Sequence, residues 1–197
     1  MTLQFLLLGF GVGLLTMMPP GPVTMTLIEV GVAQGRHRGA QGAVGVAAGD
    51  LVTGLAASSI VLLGASTLPG PTFAVLQAVS AVLLIVFGAA LVLRPSAVRR
   101  LALGLQHPAR ALFMITTLTP TVLGAWVVII GAMPFADQGS ALVQFVLGAA
   151  VASLVWHTLL GSAAGELGHR LTEQRLAEVT MAGGVALAAF GGFMLAG

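Results

Sequence analysis

Polar positions are so sparse along this chain that the gaps between them define its elements. Six apolar stretches are long enough to matter: Leu3–Ala33, Gly39–Gly64, Pro71–Leu93, Ala109–Met133, Gly139–Gly165 and Leu176–Ala196. A helix needs about 20 predominantly apolar residues to cross the hydrocarbon core, so each stretch reads as a span. The first is too long for one straight helix and contains Pro19-Pro20-Gly21-Pro22. The fourth contains Thr119-Pro120. Proline in mid-helix removes a backbone donor and clashes with the carbonyl four residues earlier. Lipid cannot satisfy the freed groups, so such breaks persist only against protein or a watery cavity. Two broken spans in corresponding places predict a transporter fold with its site between two half-chains.

The charged positions give the arrangement in the membrane. All eight basic residues are arginines. In a six-span reading, Arg36 and Arg38 follow the first span. Arg94, Arg99, Arg100 and Arg110 lie between the third and fourth, and Arg170 and Arg175 between the fifth and sixth. The remaining loops and both termini carry none. The positive-inside rule makes the arginine side cytoplasmic and puts both termini outside. The fold class is therefore an all-α integral membrane protein of six transmembrane helices in a single domain of 197 residues. Composition agrees: 57% of residues are hydrophobic and 7% charged, against roughly 25% charged in soluble domains. The mean hydropathy is +1.05. The start lacks the basic flank of a signal peptide and is expected to be a retained first helix. A net charge of +2 without a clustered basic face excludes nucleic acid as a partner. The absence of cysteine excludes a thiol redox carrier and Cys-ligated metal.

A shift of one hundred residues superposes Thr16 on Thr116, Pro20 on Pro120, Gly31 on Gly131 and Gly39 on Gly139. Residues 1–100 and 101–197 then each hold three spans. An odd number of spans forces the halves into opposite orientations, so the expectation is a pair of inverted three-helix repeats.

The first break carries the candidate chemistry. Carbonyls before Pro19, Pro20 and Pro22 lose their partners, and Pro22 suits the first position of a new helix. The N–H groups of Val23, Thr24 and Met25 would face the gap from the positive helix end. One gap thus offers acceptors for an ammonium and donors for a carboxylate, the two groups of an amino acid. Pro20, Gly21, Pro22, Thr24, Thr119 and Pro120 are accordingly expected at the substrate site. Asp50 lies about 16 Å into its span at 1.5 Å per residue, near the midplane. A carboxylate there is costly unless paired, hydrated or protonated, so it is the candidate for proton coupling and for holding a cationic head. Gly42, Gly45 and Gly49 form a small-residue stripe that is expected to pack against the first break. Trp156 is a candidate for stacking on a substrate cation. His157 is either a proton relay or a helix–helix hydrogen bond. Glu29 either lines an inner vestibule or pairs with Arg36. Trp126 is lipid-facing or core. Asp50 and His157 are too few for a metal site, and no cofactor is expected.

These residues resemble the LysE/RhtB family of amino-acid exporters. The resemblance rests on Pro20-Gly21-Pro22, on Gln34-Gly35-Arg36-His37-Arg38-Gly39 and on Gly45-Val46-Ala47-Ala48-Gly49-Asp50. It is weaker in the second half, where Thr119-Pro120 stands in the place of an Asn-Pro, and Val23-Thr24 replaces an Asn after the first break. The resemblance implies a six-span exporter of amino acids in the bacterial cytoplasmic (inner) membrane, driven by the proton gradient. The expected function is export of a small amino acid or related metabolite by proton-coupled alternating access. The rival readings are a divalent-metal exporter of similar architecture and a non-transporting membrane scaffold. The Gly/Ala faces would also suit a homodimer in the lipid bilayer.

Overall fold

The computed structural model describes residues 3–18, 21–64, 106–131 and 133–168 as continuous segments, with separate helical positions between 78 and 93 and between 174 and 192. The described residues are helical, with no strand among them. Six helices emerge: α1 (Leu3–Met17), α2 (Pro22–Gln34), α3 (Arg36–Gly64), α4 (Pro108–Leu118), α5 (Pro120–Gly131) and α6 (Gly139–Leu167). α3 and α6 are each 29 residues long and apolar enough to cross a membrane. α4 and α5 together make a bent pair with a 59° change of direction. α1 and α2 are shorter apolar helices on either side of the first break. The expected spans at Pro71–Leu93 and Leu176–Ala196 fall largely outside the described residues, although Gly88 there lies against Gly184 and Ala188.

The proline breaks come where the sequence places them. α1 stops at Met17, and α2 starts with Pro22 after Gly21 in extended conformation. α4 stops at Leu118, Thr119 is extended, and α5 starts with Pro120. Before each break a threonine hydroxyl donates to the carbonyl four residues back, Thr16 to Val12 and Thr119 to Ile115. Such back-bonding adds an acceptor load that bends a helix, here just where the backbone ladder ends. Gly35 alone joins α2 to α3, at φ 88°, the left-handed region that only glycine occupies without strain.

α3 and α6 are the central pair, and the broken helices lie along them. α1 packs on α6 and α4 packs on α3, with α2 and α5 inserted beside the same two helices. Glycine permits this closeness. A Cβ on Gly45 would overlap the carbonyl of Ala109 in α4, and one on Gly148 would overlap the carbonyl of Leu6 in α1. The two contacts are related by a shift of 103 residues, which also relates Gly42–Leu112 to Phe145–Gly9, and Thr16–Val12 to Thr119–Ile115. The shift of one hundred seen in the sequence is therefore displaced by three in these helices. The reason lies in the breaks and joints: four residues separate α1 from α2 but one separates α4 from α5, and one joins α2 to α3 where seven join α5 to α6.

The glycine stripe of α3 packs elsewhere than expected. Gly45 and Gly49 meet Ala109 and Thr116 of α4, and Gly42 sits between Leu112 of α4 and Leu27 of α2. The stripe faces the helix leading into the second break, because α4 crosses α3 at the residues that lack side chains. Large apolar residues behave in the opposite sense: Leu7, Val44, Leu63, Leu147, Val151 and Leu159 are exposed. With hydrocarbon outside, burying leucine gains little, and close van der Waals packing through small residues holds such helices together. The larger buried cluster joins Trp126, Val127 and Ile130 of α5 to Leu142, Phe145 and Val146 of α6. The smaller joins Val23 and Leu27 of α2 to Ala43, Val46 and Leu112.

Candidate functional site

The two central helices touch through a pair of polar side chains at their midpoints. Asp50 stands midway between Arg36 and Gly64, and Ser153 midway between Gly139 and Leu167. The Ser153 hydroxyl donates to Asp50 Oδ2 at 2.6 Å across 103 residues of sequence. Trp126, in α5 beyond the second break, turns its indole towards the same carboxylate. His157 lies one turn along α6 from Ser153. Its Nδ1 is 3.0 Å from the Ser153 carbonyl oxygen and 3.1 Å from the Ser153 hydroxyl. A carbonyl only accepts, so Nδ1 carries the proton in this arrangement. Nε2 is then the acceptor, and the Thr24 hydroxyl, in the first turn of α2, faces it at 3.4 Å.

The result is a continuous polar path, Thr24–His157–Ser153–Asp50–Trp126, drawn from α2, α6, α3 and α5. Every member is buried, with Ser153 at 0% and His157 at 4% exposure. A buried polar group without a partner costs about 1–3 kcal/mol. A path in which each member has one is thus a strongly determined feature of the interior.

The other expected site residues are distributed as follows. Pro20, like Pro19, lies outside the described residues. Gly21 precedes α2, and a Cβ on it would meet no described atom within 4 Å. Pro22 opens α2, so it supplies no N–H. Of the three donors expected at the gap, Met25 N–H bonds back to the Gly21 carbonyl at 2.9 Å. Val23 and Thr24 remain as donors with no partner among the described residues. Thr119 is engaged with its own helix through Ile115, and Pro120 begins α5. Trp156 is half-buried on α6 beside His157 but outside the path, and its Nε1 has no partner among the described residues. Beside Asp50, Thr116 packs against Gly49. The hydroxyls of Thr116 and Thr117 are likewise buried without a described partner.

Glu29 corrects one expectation. It is 3% exposed inside α2, whereas Arg36 pairs with Glu166 at 3.6 Å. A short helix joined to α3 by a single residue holds Glu29 facing the interior, and α6 brings its own carboxylate to the arginine. Ser153 was not singled out in the sequence, and Trp126 was read there only as lipid-facing or core, of which the buried cluster bears out the second. Ser153 had one legible signal, its place four residues before His157 on the same helix face. Trp126 had none, because only the bend at Pro120 turns it towards Asp50. Among the described residues, His, Asp and Glu form no group of three or more suited to a metal.

Comparison with protein families decides what kind of molecule this is. The model of the LysE type translocator family matches residues 14–197, nearly the whole chain. The chain belongs to the LysE type translocator family. No curated protein and no solved structure matches it. As a LysE translocator it is a membrane transporter, and the family is not one of enzymes. The polar path of this LysE translocator thus runs between helices of a transport protein, next to both of its helix breaks.

Proposed function

We propose that this LysE translocator exports a small amino acid or related metabolite across the bacterial cytoplasmic membrane by proton-coupled alternating access. The halves, residues 1–100 and 101–197, are read as inverted three-helix repeats with both termini outside. The observation that carries the proposal is the buried path from Thr24 to Asp50, which ties the helix after the first break to the midpoints of both central helices. Topology is supported by the arginines, and the inverted halves by the reciprocal contacts at a shift of 103.

The site groups fit both ends of a zwitterion. The uncapped N–H groups of Val23 and Thr24, at the positive end of α2, suit a carboxylate. Asp50 suits an ammonium, and the hydroxyls of Thr116 and Thr117 offer further partners.

Proton movement follows from the hydrogen-bond order. A proton taken up at His157 Nε2 releases the Nδ1 proton to the Ser153 oxygen, which passes its own proton to Asp50 Oδ2. Afterwards Asp50 is neutral, His157 is again neutral with its proton on Nε2, and the bonds Thr24–His157, His157–Ser153 hydroxyl and Ser153–Asp50 have reversed direction, while Nδ1, now an acceptor, gives up its contact with the Ser153 carbonyl. One proton has been added in all. A neutral Asp50 no longer holds an ammonium, so proton arrival and substrate departure are coupled through one carboxylate.

The asymmetry between the halves supports an alternating mechanism. α2 packs closely on both α3 and α6, whereas α5 packs closely on α3 and lacks an equal backbone contact with α6. At the arginine end Gly31 and Gly39 lie against Gly161, Gly165 against Arg36, and Gly168 against Val32. At the other end a Cβ on Gly131 would meet no described atom within 4 Å, and one on Gly139 would meet Leu62 at 3.7 Å. This is the pattern of a state closed towards the cytoplasm.

The test is uptake and efflux of a panel of labelled amino acids in proteoliposomes with an imposed pH gradient. Gradient-driven flux of one or more of them, and its loss in Asp50→Asn, is expected. Unchanged flux and unchanged pH response in Asp50→Asn would remove Asp50 from the mechanism.

A further inference from the structure

A second polar feature lies away from the central path, where α3 and α4 begin. A cavity of about 460 Å³ is lined by Arg38, Gln41, His107, Pro108, Ala109 and Arg110. Its size falls in the usual range for small-ligand sites, about 300–1,000 Å³. Its lining holds two guanidiniums, an imidazole and no carboxylate.

These groups are placed rather than merely nearby. Arg38 Nη1 donates to the Gln106 carbonyl at 3.1 Å and to Gln41 Oε1 at 3.3 Å, which holds its head across the mouth between the helices. Gln41 is fixed in turn by His37 at 3.2 Å. The side chains of Arg110 and His107 have no hydrogen bond or ion pair among the described residues, unlike Arg36 at the same end, which is neutralised by Glu166. The start of α4 adds to the field. Pro108 has no N–H, no side chain caps the helix, and Ala111 N–H is taken by the His107 carbonyl, so the N–H groups of Ala109 and Arg110, both lining residues, have no partner among the described residues.

The geometry points to a binding site for an anionic phosphate group, carried by a phospholipid headgroup or free in solution. Arginine is the side chain suited to this ligand, since its planar donors match phosphate oxygens two at a time. Arg38 and Arg110 grip the phosphate oxygens from two helices, and the open N–H groups of α4 meet it from below. The cavity lies at the polar ends of apolar helices, where basic pockets between spans take acidic lipid headgroups. Occupancy would tie α3 to α4, the two helices whose glycine contacts lie immediately beneath the site. The site does not depend on the export reading, and its test does not use transport.

Native mass spectrometry and thermal melting of the full chain in detergent test it, with three added probes: phosphatidylglycerol, phosphatidylcholine and inorganic phosphate. Wild type is expected to retain phosphatidylglycerol over phosphatidylcholine and to melt higher with it. Arg110→Gln should bind about fivefold more weakly, and Arg38→Gln with Arg110→Gln weaker still. Arg110 is exposed and makes no described contact, so its variant should melt like wild type without lipid. Arg36→Gln, at the same end but outside the cavity, should bind as wild type does. Protection by inorganic phosphate that Arg110→Gln loses assigns the site to a soluble phosphate. Protection by phosphatidylglycerol alone assigns it to lipid. Equal weakening by Arg36→Gln and Arg110→Gln, or no response to any anionic probe, overturns the proposal.

Discussion

Ser153 shows how much one hydroxyl can decide in a low-dielectric interior. It donates to Asp50 and accepts from His157, so both titratable groups depend on it. Ser153→Ala keeps the close packing of α3 on α6, since the residue is fully buried and alanine is smaller. It removes the connection and leaves the carboxylate one donor short, at a cost of about 1–3 kcal/mol in stability. The expected outcome is a protein that folds and binds substrate but loses the response of flux to an imposed pH gradient. Proteoliposome flux with and without the gradient measures this. Thr24→Val, nearly the same size, should weaken the same response less, because its hydrogen bond to His157 is longer than either bond of the Ser153 hydroxyl.

Among the elements, α3 and α6 depend on the absence of side chains. At Gly45 and Gly148 any Cβ would run into a neighbouring carbonyl. Gly45→Val and Gly148→Val force α4 and α1 outward, an overpacking cost of about 1–3 kcal/mol or more. Melting of the purified protein should fall in both, to a similar extent, because the two contacts correspond. Gly11, with no described atom within 4 Å of its Cβ position, provides the contrast: Gly11→Ala should leave melting unchanged or raise it slightly. The helix boundaries around the breaks were legible in the sequence because proline acts locally. The partner of the glycine stripe was not, since a stripe of glycines says that something comes close without saying which helix it is.

For the whole molecule, the close contacts at the arginine end provide a direct test of movement. The chain has no native cysteine, so introduced pairs react against a clean background. The Cβ positions of Val32 and Gly168 are 3.2 Å apart, a few tenths of an ångström short of the usual disulfide range of about 3.5–4.5 Å, a gap that a small outward shift of either helix closes. Val32→Cys with Gly168→Cys should therefore form a disulfide on mild oxidation. If α2 must leave α6 to admit substrate, oxidation stops flux and reduction restores it. Full flux in the cross-linked protein would show that this end does not open there.

The sequence by itself determined the membrane class and both helix breaks, and it singled out Asp50 and His157 as ionisable groups within the spans. Each follows from local physics: the length of an apolar run, the missing proline donor, and the cost of an ionisable group among apolar neighbours. Tertiary structure alone decided that Asp50 meets Ser153, that Trp126 turns towards the same carboxylate, and that Glu29 faces inward while Arg36 takes Glu166. These pairings join residues as far apart as Arg36 and Glu166. They depend on where two long helices cross and how far each broken helix bends, and no local pattern of polar and apolar residues encodes either quantity.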